Sequence, residues 1–151
     1  MAHGNQASTQ GVALHDLTVT ESTTDIPPVH ACKHWNSSGL LLRAGATYEI
    51  RVFDVENWRD WCIKADPERG HREEQLLFKL PLVNRLRRFQ GAPWYALVGA
   101  IGRDRATFFR ILPGRHCTPD RDGELLTFAN DAHGFYWNNR GTLRLAVTRL
   151  R

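Results

Sequence analysis

Short strand-like segments fill most of this chain, and their number is the strongest constraint on its fold. Eight segments are rich in apolar, aromatic or β-branched residues and are separated by Gly, Pro or Ser: VALHDLTVT, VHACKHW, GLLLRAG, TYEIRVFDV, WYALVGAIG, ATFFRIL, ELLTFAN and TLRLAVTRL. In TYEIRVFDV, Tyr48, Ile50 and Val52 alternate with Glu49 and Arg51, so one strand face would be dry and the other wet. Many short strands, at intervals of roughly 8 to 15 residues, predict an all-β fold, an antiparallel β-sandwich or jelly roll.

One stretch, REEQLLFKLPLVNRLRRFQGAP, departs from this pattern. Its charges and its leucine spacing predict one short helix or a long ordered loop around 72–90, broken at Pro81. Residues 1–11 are small and polar, and we expect a flexible N-terminal tail there. With 151 residues in total, the remainder, 12–151, suits a single β-sandwich domain.

Hydrophobicity and cysteine content limit the possible locations of the protein. No apolar run approaches the roughly 20 residues of a membrane-spanning helix, so we expect no membrane span. Cys32, Cys62 and Cys117 form an odd, widely spaced set, which argues against a disulfide framework and favours a reducing compartment. The N-terminus lacks the basic and apolar regions of a secretory signal. We therefore expect a cytoplasmic protein, or one released without a classical signal peptide.

Charge distribution and motifs argue against two broad function classes. Lysine occurs only at positions 33, 64 and 79, which leaves 17 arginines among the 20 basic residues, and they are spread over every segment. A nucleic-acid-binding protein would concentrate them on one face, so nucleic acid is not an expected partner. No G-x-S-x-G motif is present, and the adjacent Glu73 and Glu74 cannot flank one scissile bond. We therefore expect a binding protein, not an enzyme.

The densest polar cluster lies in FANDAHGFYWNNRGTLRL, where Asp131, Asn138 and Asn139 fall between two predicted strands. Ca²⁺ takes about six to eight oxygen ligands from carboxylates, amide side chains and backbone carbonyls. This loop offers only one carboxylate, so the remaining ligands would come from another loop or from vicinal hydroxyls of a sugar. In the alternative interpretation, Asn-Asn-x-Gly and His-Gly are ordinary turn formers and Asp131 caps a turn through its own backbone.

Aromatic residues next to this cluster suit a sugar site, because indole rings pack on the apolar faces of pyranoses. Tyr136 and Trp137 precede the Asn pair. We expect Tyr136 in the core and Trp137 at the surface. Trp35, Trp58 and Trp94 are expected to pack in the core.

A second possible metal site lies in HACKH. His30, Cys32 and His34 alternate along a predicted strand and would share one face, with Cys62, His116 or Cys117 as the fourth ligand of a zinc ion. The simpler interpretation is a strand with a small buried cysteine and two partly exposed histidines.

Three pieces of the chain form a longer pattern. PWYALVGAIG is followed by an F-x-I-x-x-G-like turn at Phe109, Ile111 and Gly114, and then by GELLTFANDAHGFYWNNRGTLRLAV. The last piece carries the ordered pattern N-D-x-x-G-x-Y-x-N-N-x-G. With GLLLRAGATYEIRVFDVENWRDW upstream, the chain from about Gly39 to Arg149 resembles the bacterial galactophilic lectins of the PA-I type. The resemblance implies a galactose-binding-like jelly roll.

In that family, calcium sits in a surface loop and the sugar hydroxyls coordinate the ion. The resemblance implies metal ligation by the Asp131 carboxylate, the side-chain oxygens of Asn138 and Asn139, and the backbone carbonyls of Phe135 and Trp61. It also implies sugar contacts from a set of seven side chains: Asp131, Asn138, Asn139, His133, Trp137, His71 and Gln75.

These residues predict a calcium-dependent carbohydrate-binding protein for galactose or a related sugar. Because single sites of this kind are weak, a homo-oligomer is expected to supply avidity. The alternative is a lectin-shaped protein-interaction module with a vestigial metal loop, in which the Arg-rich segment Asn84 to Arg88 docks a protein or an anionic surface.

Overall fold

The computed structural model describes residues 13–17, 23–71 and 80–151. The predicted tail, most of the first half of the 72–90 segment, and Gln75 therefore lie outside the described residues. Short 3₁₀ helices at Arg105–Thr107 and Tyr136–Asn138 accompany the α-helix α1 (Pro81–Asn84). The strands are β1 (His15–Asp16), β2 (Thr23–Asp25), β3 (Val29–His30), β4 (Asn36–Leu42), β5 (Tyr48–Asp60), β6 (Ile63–Asp66), β7 (Gly70–His71), β8 (Leu97–Ile101), β9 (Phe109–Arg110), β10 (His116–Cys117), β11 (Gly123–Ala129) and β12 (Asn139–Arg149).

Two sheets account for these strands. The first has the order β1-β4-β11-β8-β9, and the second has the order β2-β12-β5-β6-β7, with β3 beside β12 and β10 beside β5. The pairs are antiparallel except for the short parallel pair of β1 and β4. The predicted β-sandwich is confirmed. Within the described part of the chain, no helix is long and apolar enough to cross a membrane.

The hydrophobic core follows from the alternation seen in the sequence. In β12, Leu143, Leu145 and Val147 are fully buried, whereas Arg144 between them is exposed. They join one core cluster with side chains from both sheets, among them Leu42 of the first and Tyr48 of the second. Burying each such aliphatic side chain contributes about 1.5–3 kcal/mol, which holds the two sheets together.

A second buried cluster contains a charged residue. We call Arg88, Trp35, Phe108, Phe128 and Tyr136 the arginine–aromatic cluster. The guanidinium carbon of Arg88 lies 3.7 Å from the ring centroid of Phe128 and 4.1 Å from that of Trp35. Nη1 donates to the carbonyl of His34 at 2.5 Å and to the hydroxyl of Tyr136 at 3.1 Å. These contacts fasten the segment after α1 to the outer side of the first sheet.

The predicted strand VHACKHW is wrong beyond its first two residues. Strand β3 ends at His30, a turn follows at Ala31 and Cys32, and β4 begins only at Asn36. The Asn36 side chain explains the turn, because it accepts the His30 N–H at 2.8 Å and donates to the His30 carbonyl at 3.1 Å. Cys32 is exposed rather than buried. No group of three or more His, Cys, Asp and Glu in the described ranges could hold a metal ion, so the zinc interpretation is not supported.

Helix α1 begins at Pro81, and residues 72–79 lie outside the described range, so the predicted break at Pro81 stays a prediction. Proline is suited to the first helical position, where its missing N–H is not needed and its fixed φ already matches the helix. The short helix within 72–90 is confirmed.

Candidate functional site

The bend between β11 and β12, residues 130–138, is held by its first residue. The Asn130 side chain accepts the Phe89 N–H at 2.9 Å and donates to the carbonyls of Phe89, Ala92 and Pro93 at 2.8, 2.8 and 3.0 Å. Asn130 is fully buried, and these four bonds tie the bend to the segment that follows α1. The bend is therefore a fixed platform.

The polar residues that follow Asn130 are also buried, but some of their side-chain oxygens have no hydrogen-bond partner among the described residues. Asp131 is 2% exposed and Asn139 is fully buried. Oδ2 of Asp131 and Oδ1 of both Asn138 and Asn139 are buried without a hydrogen-bond partner among the described residues. Buried polar atoms are normally paired, and each one left unpaired costs about 1–3 kcal/mol. All three atoms are oxygens, so the missing partner is a donor or a cation.

A second carboxylate lies in the same region. Asp60, at the end of β5, is 8% exposed, and its Oδ1 also has no hydrogen-bond partner in the described part of the chain. Its Oδ2 accepts the hydroxyl of Tyr95. Burial raises the pKa of Asp131 to about 6 and the neighbouring Asp60 carboxyl adds to the rise, while interactions with the Ala132 N–H, the Asn139 side chain and the Tyr95 hydroxyl limit it. Burial raises the pKa of Asp60 as well.

We call the four residues Asp60, Asp131, Asn138 and Asn139 the acidic pocket. Three of them, all except Asn139, line a cavity of about 360 Å³. The other walls are largely apolar, and they include Ile63, Val83, Leu86, Trp94, Ala132 and Phe135. A concave apolar site with a few convergent polar groups is typical of small-molecule binding.

The two residues whose carbonyls are predicted ligands, Trp61 and Phe135, both contact the backbone of Asn138. Trp61 follows β5 directly, has a left-handed φ of 45°, and donates its N–H to the Asn138 carbonyl at 3.0 Å. A bulky residue in this conformation stores strain, which is found most often at functional sites. The Phe135 carbonyl accepts the Asn138 N–H at 3.3 Å, and a carbonyl oxygen has a second lone pair for another partner. The structure therefore brings the predicted metal ligands into one neighbourhood.

The predicted sugar-contacting residues are less uniformly placed. Trp137 of the bend is 73% exposed, whereas Tyr136 is buried, as expected for both. His133 is exposed, but it faces His34: the two ring centroids are 6.1 Å apart, and the His133 carbonyl contacts His34 Nε2 at 2.7 Å. His133 does not line the cavity.

His71 is half-buried in β7, with its ring centroid 4.6 Å from that of Tyr95. Burial lowers the pKa of His71 to about 4, so the ring is neutral at neutral pH. The structure thus brings His71 close to the acidic pocket through Tyr95. Gln75 belongs to the range that is not described.

The turn-former interpretation accounts for part of the bend. Asp131 Oδ1 accepts the Ala132 N–H at 2.7 Å, and Tyr136–Asn138 form a turn of 3₁₀ helix. This local bond uses Oδ1 of Asp131 and leaves the four orphaned oxygens of the pocket unexplained, namely Oδ2 of Asp131 and Oδ1 of Asp60, Asn138 and Asn139. Trp58 and Trp94 are in the core as expected, and Trp35 is partly buried.

Sequence reasoning missed Asp60, and so counted one carboxylate where the structure brings two together. The signal was present in the strand period, because residues 58 and 60 of one strand point to the same side and Trp58 was expected in the core. Sequence reasoning also missed Tyr95, whose left-handed backbone (φ of 61°) and hydroxyl bond to Asp60 place it within the site.

The Arg-rich segment Asn84 to Arg88 does not present a continuous basic face. Arg88 is 4% exposed within the arginine–aromatic cluster. Arg87 donates to Asn84 Oδ1 at 2.5 Å and to the Phe89 carbonyl at 3.3 Å. Two of the arginines therefore serve internal contacts.

Comparison with known proteins gives a fold-level relationship. No family model matches the chain, and no curated protein matches it. A solved structure, the N-terminal domain of EclA, described as a PllA-like lectin, matches with a TM-score of 0.51 and 18% identity. The match covers 84% of this chain and 94% of that domain. At this identity the likeness shows a shared β-sandwich fold.

Proposed function

We propose that this protein is a lectin that binds galactose or a related saccharide with the help of calcium and performs no covalent chemistry. The observation that carries the proposal is the set of buried, unpaired side-chain oxygens around one cavity. The lectin fold of the EclA domain supports it at the level of architecture. Several acceptor oxygens that are buried without donors around one cavity are suited to a cation.

The donor set fits calcium. Asp131, Asn138 and Asn139 would supply side-chain oxygens, and Phe135 and Trp61 would supply backbone carbonyls. Ca²⁺ prefers such all-oxygen sets and accepts further oxygens in a flexible shell. When bound, the ion would offer coordination positions to the vicinal hydroxyls of a saccharide, and so select sugars by the arrangement of those hydroxyls.

The chain's own side chains would contact the remainder of the saccharide. Trp137 and Phe135 are 73% and 51% exposed at the bend, where they can cover the apolar face of a pyranose ring. Contacts of this kind are shallow and individually weak. Several copies in a homo-oligomer would raise the avidity for a multivalent glycan.

Calorimetric titration of methyl galactoside into the full chain tests the proposal. Binding is expected in excess calcium and should disappear with a chelator. Asp131→Asn should lose calcium and sugar binding together, since it removes one carboxylate charge. The matched control is Asp54→Asn, an exposed residue of β5 with a left-handed φ of 47° that asparagine tolerates.

Two results would contradict the proposal in different ways. If sugar still binds in the presence of the chelator, binding does not depend on calcium, and that part of the proposal is wrong. If no galactoside or related sugar gives heat of binding in excess calcium, the proposed lectin function is wrong. Only the β-sandwich fold would then stand.

A further inference from the structure

We infer that Asp60 supplies a second carboxylate to the cation site, so that the acidic pocket binds calcium without a saccharide. This inference rests on the proposed function, because it concerns the same cation. It changes the expected chemistry: with Asp131 as the single carboxylate, sugar hydroxyls would be needed for firm binding, whereas two carboxylates give the protein a site of its own.

Strand register places Asp60 opposite one of the expected ligands. In the antiparallel pair of β5 and β12, Asp60 is the cross-strand partner of Asn139. Side chains of directly opposed residues lie on the same face of the sheet, with Cβ atoms about 4.5–5.5 Å apart. Asp60 and Asn139 are 8% and 0% exposed. Both side chains are therefore buried on the same face of the sheet.

The unpaired atoms of the two carboxyl groups support a shared cation. Oδ1 of Asp60 and Oδ2 of Asp131 are both buried without a hydrogen-bond partner among the described residues. In that part of the chain neither carboxyl forms a salt bridge. A buried negative charge is costly unless a cation compensates it, and two adjacent ones are more so. A divalent ion would compensate both.

Tyr95 provides the competing explanation. Its hydroxyl donates to Asp60 Oδ2, so Asp60 could serve only to position the Tyr95 ring. That role uses one carboxyl oxygen and leaves Oδ1 unexplained. The two roles differ in what Tyr95→Phe does, because this variant removes the hydroxyl and keeps both carboxylates.

Titration of calcium chloride into the chelator-treated full chain, without sugar, tests the inference. The wild-type protein is expected to bind one ion per chain, and Asp60→Asn should weaken its affinity at least tenfold. Tyr95→Phe should weaken it less than threefold, and the exposed control Asp54→Asn should match the wild type. Thermal unfolding adds a second readout. Asp60→Asn should melt at or above the wild-type temperature without metal, because it removes a buried charge, and should gain less from calcium.

The possible failures are distinguishable. If the wild type binds calcium only when methyl galactoside is present, this inference fails and the proposed function stands. If it binds calcium in neither condition, the calcium part of the proposed function and this inference fail together. If Asp131→Asn loses calcium and Asp60→Asn binds within threefold of the wild type, the inference fails and the proposed function stands. Equal weakening by Tyr95→Phe and Asp60→Asn would make Asp60 a positioning residue and overturn the inference. Should Asp60→Asn not fold, a crystal structure of the calcium-loaded wild type decides: an Asp60 oxygen bound to the ion supports the inference, and an Asp60 carboxyl outside its shell overturns it.

Discussion

The arginine–aromatic cluster and the acidic pocket both bury charged side chains, but only the second leaves some of their buried polar atoms without a hydrogen-bond partner among the described residues. Arg88 has two hydrogen-bond acceptors and two aromatic rings within about 4 Å of its guanidinium carbon. Asp60 and Asp131 each keep one buried carboxyl oxygen without a partner among the described residues. The first arrangement stabilises the fold by itself, whereas the second is completed by something that binds.

The same contrast separates two adjacent residues. Asn130 makes four side-chain hydrogen bonds to the 89–93 segment, and Asp131 uses one oxygen on the N–H of Ala132. Both are almost completely buried, so exposure does not explain the difference. Asn130 holds the bend in place, and Asp131 is available at its inner side.

The largest expected change in the free energy of unfolding comes from removing the charge of the arginine–aromatic cluster. Arg88→Met keeps a long apolar side chain but leaves the His34 carbonyl and the Tyr136 hydroxyl without this donor. We expect a loss of about 2–4 kcal/mol in the free energy of unfolding, measured by urea denaturation. The loss should be equal with calcium and with a chelator, because the cluster is complete without a ligand. If calcium restores the stability that Arg88→Met loses, the arginine–aromatic cluster is not complete without a ligand, and the contrast with the acidic pocket is wrong.

A smaller change in the free energy of unfolding is expected from His71. Burial keeps this side chain neutral, so it extends the comparison to an uncharged titratable group. Its pKa is about 4 in the folded chain, against an ordinary value of 6.5. As the pH falls below 6.5, His71 binds a proton in the unfolded chain but not in the folded chain, and this favours unfolding. The contribution of neutral His71 to the free energy of unfolding is therefore complete above pH 6.5 and is lost as the pH falls towards 4.

The matched experiment compares the wild type with His71→Phe by urea unfolding in chelator between pH 4 and 7.5. The wild type should lose about 1–3 kcal/mol relative to the variant as the pH falls. Asp131, whose raised pKa acts in the opposite direction, titrates in both proteins and cancels in the difference. A difference that does not change with pH would show that the ring is not desolvated.

The smallest effect is expected at the exposed surface of the bend, where saccharide affinity is the quantity measured. Trp137→Ala should weaken saccharide binding about tenfold, or about 1.4 kcal/mol, because the variant loses the indole surface against the sugar ring. Its free energy of unfolding should stay within about 0.5 kcal/mol of the wild type, since the side chain is 73% exposed. Val55→Ala, on exposed β5 surface, is the control. If Trp137→Ala binds the sugar with unchanged affinity, the saccharide does not contact Trp137.

Periodicity and local sequence were enough to predict the sandwich and the bend, for a physical reason. Alternation in β5 and β12 reports directly which side chains face the core, and Asp131, Asn138 and Asn139 are close in sequence. Asp60 was harder because its role depends on the register between β5 and β12, which alternation alone does not fix. The turn after His30 was missed because a single side chain, that of Asn36, satisfies the backbone that a neighbouring strand would have paired.

A crystal structure of the full chain grown with calcium and methyl galactoside tests the central claim most directly. The account predicts an anomalous calcium peak with Asp131, Asn138 and Asn139 oxygens at about 2.3–2.6 Å, and with sugar hydroxyls in the same coordination shell. A bend without an ion at saturating calcium, with the amides of Asn138 and Asn139 rotated towards neighbouring backbone groups, would contradict it.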